Sequence, residues 1–285
     1  MRISEFLSTA AQILRQAGVD SPRLEAELLL ATALGIERKR LFLEANTLLT
    51  DAELTKANEL VELRAARFPL QYITGKIEFL GFEFSLRPGV FIPRPETELL
   101  VAEAGALLSG LVSPVVLDVG TGSGVIAIVL AVGSPTARVH AFDVSARAIE
   151  VAGANAVKHG VADRVSLCLG DFSSVIGPEF APGTVDLIVS NPPYVPSSQI
   201  PSLAPEISKH EPIEALDGGP DGLLFVRAIL RWAATLLKPG RWVLLEMGAG
   251  QAEAAREIAT SVGLANVRTV RDLAGIERVL AARKV

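Results

Sequence analysis

The sequence predicts an α/β protein whose parallel sheet is covered by helices on both faces, with a smaller helical domain ahead of it. Three observations predict this. From about residue 93 onward, short apolar runs alternate with segments of helical period, the pattern of strands joined by helical crossovers. Residues 1–75 are helical in period and hold three of the 24 glycines and two of the 17 prolines. Between the two regions, residues 76–92 switch to a period of two.

In residues 1–75, Ile3, Phe6, Leu7, Ala10, Ile13, Leu14 and Ala17 recur at i, i+3, i+4 and i+7, and Gly18 stands at the expected stop. Ser21-Pro22 reads as an N-cap followed by proline at the first helical position, with Gly35 closing that helix. Thr50-x-x-Glu53 is a capping box that opens a helix ending before Pro69. Nothing in this domain looks catalytic, and its apolar and mixed-charge faces suit packing or partner recognition. Next, Ile77-Glu78-Phe79-Leu80 and Phe82-Glu83-Phe84-Ser85-Leu86 flank Gly81, which reads as a hairpin linker over 76–92. In residues 93–285, strands are expected at 115–119, 138–142, 165–169, 185–190 and 241–246, with weaker candidates at 266–271 and 276–281. Helices are expected at 96–109, 123–132, 145–159, 222–237 and 251–262.

Composition narrows the function. With 49% hydrophobic and 21% charged residues, the chain of 285 residues is not a disordered one. Its 27 basic and 32 acidic side chains give a formal net charge of −5, which lacks the bulk charge of a general nucleic-acid binder. Cys168 is the only cysteine, so neither an internal disulfide nor a cysteine zinc cluster can form. His140, His159 and His210 are scattered, and no metal is expected. The uncharged stretch 119–137 is broken by glycine and proline; its apolar run, 125–132, falls short of the ~20 residues of a membrane span. The N-terminus shows no targeting segment, so a soluble cytoplasmic protein is expected.

Three segments carry chemistry. The first is Asp118-Val119-Gly120-Thr121-Gly122-Ser123-Gly124, between a strand and a helix. Its glycines let the backbone turn sharply and approach a ligand, and the following helix N-terminus offers free N–H groups. Val125 stands where a dinucleotide fingerprint needs glycine, and no Gly-Lys-Ser/Thr follows, so a nicotinamide site and a phosphate-cradling loop are both disfavoured. The second is Asp143 at the end of the next strand, placed to accept both ribose hydroxyls of an adenosine, unless it merely caps the helix that Ser145 could equally cap. Asp171 and Phe172, after the third strand, could hydrogen-bond to and stack on adenine, or form a loop with a core phenylalanine. The third and sharpest is Asn191-Pro192-Pro193-Tyr194. Asn191 and Pro192 each precede a proline, so both are held extended. The Asn191 side-chain oxygen and the Pro192 carbonyl then form a rigid pair of acceptors beside an aromatic face, suited to gripping a planar NH₂ group.

These residues resemble the seven-stranded, Rossmann-like S-adenosylmethionine-dependent methyltransferases, and the third segment narrows the resemblance to those acting on planar nitrogen. Phe68 to Gly75, Phe91 to Glu98, Glu211-Pro212 through Leu216, Gly218-Gly219 with Asp221-Gly222-Leu223, and Asp272 to Val279 are similar to the peptide chain release factor N5-glutamine methyltransferase family. The resemblance implies methyl transfer from S-adenosyl-L-methionine, leaving S-adenosyl-L-homocysteine, to the glutamine side-chain nitrogen in the Gly-Gly-Gln tip of release factors. It implies that residues 1–75 recognise the release factor, that Gly120, Thr121, Gly122, Ser123 and Gly124 line the methionine part of the cofactor, and that Asp143 holds the ribose. Asp171 and Phe172 would stand at the adenine. Asn191, Pro192, Pro193 and Tyr194 would hold the glutamine, with Asn191, Pro192 and Tyr194 catalytic and Asn191 also near the cofactor. The expected partner is the release factor, with no nucleic acid, no membrane and a monomeric enzyme. A ribosomal-protein glutamine methyltransferase or a DNA adenine-N6 methyltransferase would use the same third segment. Phe172 replaces a frequent tryptophan, and Glu246-Met247-Gly248-Ala249-Gly250-Gln251 is a variable stretch; neither is expected to touch the acceptor grip. Glu96-Thr97-Glu98 could cap a helix or border the cofactor.

Overall fold

The computed structural model describes residues 1–172 and 180–285. It forms two compact units, Met1–Lys76 with Ala204–His210 and Ile77–Leu203 with Glu211–Val285. Residues 204–210 carry no sequence signal that would assign them to the first unit. No helix among the described residues is long and apolar enough to cross a membrane.

The first unit is helical: α1 (Ile3–Gln16), α2 (Pro22–Leu34), α3 (Arg38–Leu43), α4 (Asp51–Ala65) and α5 (Leu70–Thr74). Ile3, Phe6, Leu7, Ala10 and Leu14 of α1 are buried against Leu29, Leu30, Leu41 and Val61, while Ile13, at the edge of the stripe, is 40% exposed. Gly35 closes α2 in the left-handed region at φ 66°. The capping box forms: Thr50 Oγ1 accepts from Glu53 N at 3.3 Å and Glu53 Oε2 accepts from Thr50 N at 2.8 Å. Helices α3 and α5 span six and five residues, too short to show a period. Buried Arg64 draws the residue 204–210 segment into this unit. Its guanidinium donates to Glu25 at 2.5 Å and to Glu206 at 2.9 Å, and Glu206 also accepts from Arg67 at 2.9 Å. Arg64 and Arg67 together balance the two carboxylates; removing a partner of buried Arg64 costs about 3–5 kcal/mol.

The second unit opens with a hairpin, β1 (Lys76–Phe79) and β2 (Phe82–Ser85), turning at Leu80 and Gly81 with φ 48° and 78°. Period and position suggest a linker here, while in the fold Phe79 and Phe84 are buried in the core of this unit. The rest alternates: α6 (Thr97–Leu108), β3 (Val115–Val119), α7 (Val125–Gly133), β4 (Arg138–Asp143), α8 (Ala146–Lys158), β5 (Val165–Leu169) and β6 (Val185–Ser190). After α9 (Pro205–His210), which belongs to the first unit, come α10 (Leu224–Leu236), β7 (Leu237–Glu246), α11 (Ala252–Ser261), β8 (Leu264–Arg271) and β9 (Glu277–Lys284). The seven strands run in the order β5-β4-β3-β6-β7-β9-β8, and β9 alone runs opposite to the other six. β7 starts earlier than the 241–246 expected, because Pro239 and Gly240 hide a paired stretch behind a register shift. Every residue of β6 is buried, as a central strand between two helical layers requires. The chain lays β4 and β5 on one side of β3, then returns to place β6 on the other. The crevice outside the carboxyl ends of β3 and β6 is therefore the topological switch point of the sheet, where ligands of such folds bind.

Candidate active site

A cavity of about 720 Å³ opens at that switch point, and all of its walls belong to the second unit. Gly120, Thr121, Gly122 and Ser123 form one wall. Gly120 N and Thr121 N both donate to Phe142 O at 2.9 Å, so the turn after β3 hangs on β4. Gly120 and Gly122 have φ 74° and 57°, which keeps the turn tight and the backbone bare toward the cavity. Gly124 is not on the wall. Its φ is 86°, and a Cβ there would stand 2.9 Å from Ile128 Cδ1 and 3.1 Å from Ala152 Cβ, so it serves the packing of α7 on α8.

Beneath the turn, fully buried Asp118 accepts from Thr121 Oγ1 at 2.7 Å and from Ala127 N at 3.2 Å. Burial pushes its carboxyl up to about 7, with those two hydrogen bonds pulling down and the nearby Asp143 charge pushing further up. Its Oδ1 and the buried Ser123 Oγ have no hydrogen-bond partner among the described residues. Asn155, also fully buried, accepts from Ser85 N at 2.8 Å and donates to Ser85 O and Ser123 O at 3.1 and 2.9 Å.

Asp143 lies on the cavity wall at the end of β4. It accepts from Gly122 N at 2.8 Å and Ser145 N at 2.9 Å, while Ser145 Oγ caps α8. Ser145 rather than Asp143 thus caps α8, and both Asp143 carboxylate oxygens are held by backbone N–H groups at the cavity wall. Burial raises its carboxyl above the ordinary value, opposed by the two N–H groups. Asp171 and Phe172 also lie on the wall. Phe172 is only 7% exposed and packs edge-on against Phe142 at 5.1 Å, so it lends the cavity a rim more than a face.

Asn191, Pro192 and Pro193 stand on the wall after β6, and Tyr194 does not. Asn191 Nδ2 donates to Thr97 Oγ1 at 3.1 Å, and Thr97 Oγ1 donates to Glu246 Oε2 at 2.7 Å. The Tyr194 hydroxyl donates to Glu246 Oε1 at 3.2 Å, because a largely buried phenol needs a polar partner and Glu246 supplies it. Burial pushes the Glu246 carboxyl up to about 7, and the same burial, with the Glu246 charge, raises the Tyr194 phenol. Glu246 and Gln251 correct the expectation that 246–251 leaves the acceptor grip untouched. Gln251 Nε2 donates to Tyr194 O at 2.9 Å, while Gly248 N holds Gln251 Oε1 at 2.8 Å. A Cβ on Gly222 would come within 2.3 Å of Tyr194 O, and one on Gly218 within 2.8 Å of Pro193 O, so these glycines let the chain lie flat against the proline turn.

The Glu96-Thr97-Glu98 segment is divided in its work. Thr97 lines the cavity, Glu98 accepts from Leu80 N at 3.0 Å at the hairpin turn, and Glu96 sits at the start of α6 without a side-chain cap bond. Buried Glu211 accepts from Arg94 at 2.5 Å and Ile92 N at 3.3 Å, which joins the segment before α6 to the segment that continues into Pro212 and Ile213 on the cavity wall. Glu246, Gln251 and Glu211 are not among the site residues expected from the sequence, whereas Thr97 lies in a segment for which bordering the cofactor is one of two readings. Each lies in a segment the sequence marks, but no spacing links them.

The geometry can be set beside known proteins. Residues 5–75 match the PrmC N-terminal domain family and residues 83–216 the Methyltransferase small domain family. A release factor glutamine methyltransferase from Geobacter sulfurreducens is 42% identical over 281 residues, 99% of this chain and 96% of the relative. One from Moorella thermoacetica is 41% identical over 283 residues, covering 99% and 98%. In fold alone, a solved methyltransferase from Pyrococcus furiosus superposes with a TM-score of 0.51 at 19% identity, over 81% of this chain and 98% of that one. Near-complete coverage at this identity, in both directions, leaves one conclusion: the chain belongs to the release factor glutamine methyltransferase family.

Proposed function

We propose that this chain transfers a methyl group from S-adenosyl-L-methionine to the side-chain amide nitrogen of the glutamine at the Gly-Gly-Gln tip of peptide chain release factors, in the cytoplasm where those factors work. The observation that carries it is the meeting, at one switch-point cavity, of a bare glycine turn, a carboxylate at a strand end and a proline-stiffened asparagine.

The residues fit the cofactor. The cavity has the size of a small-molecule site, Asp143 presents acceptors for two hydroxyls, and the buried Ser123 Oγ lacks a partner among the described residues. Gly120 to Ser123 would hold the amino-acid arm, Asp143 the ribose, and Asp171 with Phe172 the base. When bound, the cofactor's sulfonium supplies an electrophilic methyl group. The chain's own task is to present a weak nucleophile, since the amide lone pair is delocalised. Asn191 Oδ1 and the Pro192 carbonyl would each accept one N–H of the glutamine, with Pro193 fixing the turn. Such orientation is worth on the order of 7–11 kcal/mol. As the nitrogen gains positive charge its hydrogens bind these acceptors more tightly, adding on the order of 1 kcal/mol each. The surplus proton then leaves to water. Tyr194 acts from behind, by anchoring the turn on Glu246. The first unit holds no part of this cavity, and its role is to recognise the release factor.

Incubation with methyl-labelled cofactor and intact release factor, followed by mass spectrometry of the tip peptide, tests this. Label on the Gly-Gly-Gln glutamine is expected. Label confined to a ribosomal protein or to DNA adenine would replace the reading.

A further inference from the structure

An asparagine amide can face a ligand either way round, because its oxygen and nitrogen ends are nearly the same size. At the cavity wall the two ways are opposites. Oxygen forward, Asn191 accepts from an NH₂ group. Nitrogen forward, it repels NH₂ and welcomes a carboxylate. Something has to choose.

The choice can be read from three residues far apart in sequence. Glu246 is 1% exposed, and both its oxygens are taken, one by Thr97 Oγ1 at 2.7 Å and one by the Tyr194 hydroxyl at 3.2 Å. A hydroxyl carries a single hydrogen. With that hydrogen given to Glu246, Thr97 Oγ1 can meet Asn191 only as an acceptor, and it does so with Nδ2 at 3.1 Å. An amide whose NH₂ is drawn toward Thr97 turns its oxygen the other way.

We infer that Glu246 and Thr97 are positioning residues that set which way round the Asn191 amide faces, so that the cavity takes a carboxamide and refuses the carboxylate of the same shape. The inference rests on the proposed reading of the site. It makes the discrimination between glutamine and glutamate a property of a hydrogen-bond chain behind the wall. Sites built to meet a particular hydrogen-bond pattern reject the analogue that lacks it far more strongly than sites that sort by size.

The test uses the full chain loaded with S-adenosyl-L-homocysteine, so that no turnover occurs, at about pH 7.5. Two release-factor tip peptides, Gly-Gly-Gln and Gly-Gly-Glu, are titrated by calorimetry. The wild type is expected to prefer the glutamine peptide. Thr97→Val removes the hydroxyl at nearly constant volume and should lower the preference at least about tenfold. Thr97→Ser restores the hydroxyl and should keep the preference. Glu246→Gln, whose amide can donate where the carboxylate only accepts, should lower it as well and serves if Thr97→Val does not fold. Affinity for S-adenosyl-L-homocysteine, measured alongside, reports whether each variant is intact. An unchanged preference in Thr97→Val or Glu246→Gln, or an equal loss in Thr97→Ser, overturns the inference alone. A wild type that prefers neither peptide overturns it together with the proposed function.

Discussion

Two buried carboxyl groups stand behind the cavity wall, and their surroundings begin alike. Asp118 and Glu246 each lie near the carboxyl end of a strand, each accept a threonine hydroxyl at 2.7 Å, and each are pushed by burial to about 7. They differ in what lies beyond the threonine. Thr121 ends its chain of bonds there, and the other partner of Asp118 is a backbone N–H at the start of α7. Thr97 passes the bond on to Asn191, and the other partner of Glu246 is Tyr194. The same pair of side chains thus fixes a backbone turn on one side of the cavity and orients a functional side chain on the other.

That contrast can be broken or sharpened by substitution. Asn191→Ala should lower kcat about hundredfold and leave cofactor affinity within about threefold, as single-turnover kinetics and calorimetry will show. Asp118→Ala should give the mirror image. It leaves the Thr121 hydroxyl and Ala127 N–H unpaired, costs about 2–4 kcal/mol of stability by denaturant unfolding, and weakens cofactor binding while sparing kcat at saturation. Gly124→Ala should act on the Asp118 side only: a left-handed alanine costs about 1–2 kcal/mol, and its Cβ pressing on Ile128 and Ala152 adds to that, read as a lower Tm with the pH profile of kcat unchanged.

The last comparison is in pH, where activity and stability should move in opposite directions. Both carboxyls titrate in the folded state near 7, above their ordinary values of 3.8 and 4.5. Their contribution to stability is full below those ordinary values and lost as pH rises through about 7, so Tm should fall from about pH 5 to 8, and less so in Asp118→Asn. Activity should rise over the upper part of that range, because only ionised Glu246 accepts from Thr97 and Tyr194 together. Glu96 pushes that titration up and Arg278 pulls it down. A Tm that is flat with pH in the wild type would remove both groups from the account.

How much of this is legible in the sequence follows from the range of each interaction. Strands β3, β5 and β6 fall where the apolar runs place them, and the glycine turn, Asp143 and the asparagine-proline segment reach one cavity because each follows a parallel strand. These are local signals organised by topology. Thr97, Asn191 and Glu246 are brought together only by the pairing of β6 with β7 and the placement of α6, and no spacing encodes that. Tyr194 is a related case. Its position beside two prolines reads as an aromatic face, and only the folded chain supplies the buried carboxylate that turns its hydroxyl elsewhere. Residues 204–210 join the first unit through a salt-bridge cluster with Arg64, which pattern reading does not register.

Asn155 ties two distant stretches into one mechanical part. Its carboxamide uses its oxygen and both its hydrogens, two on the backbone of Ser85 and one on the carbonyl of Ser123. A swapped or lengthened second hairpin strand would therefore be transmitted as a shift of the residue that closes the glycine turn. Engineers grafting this catalytic unit onto another recognition module should carry the hairpin with it as a single cassette.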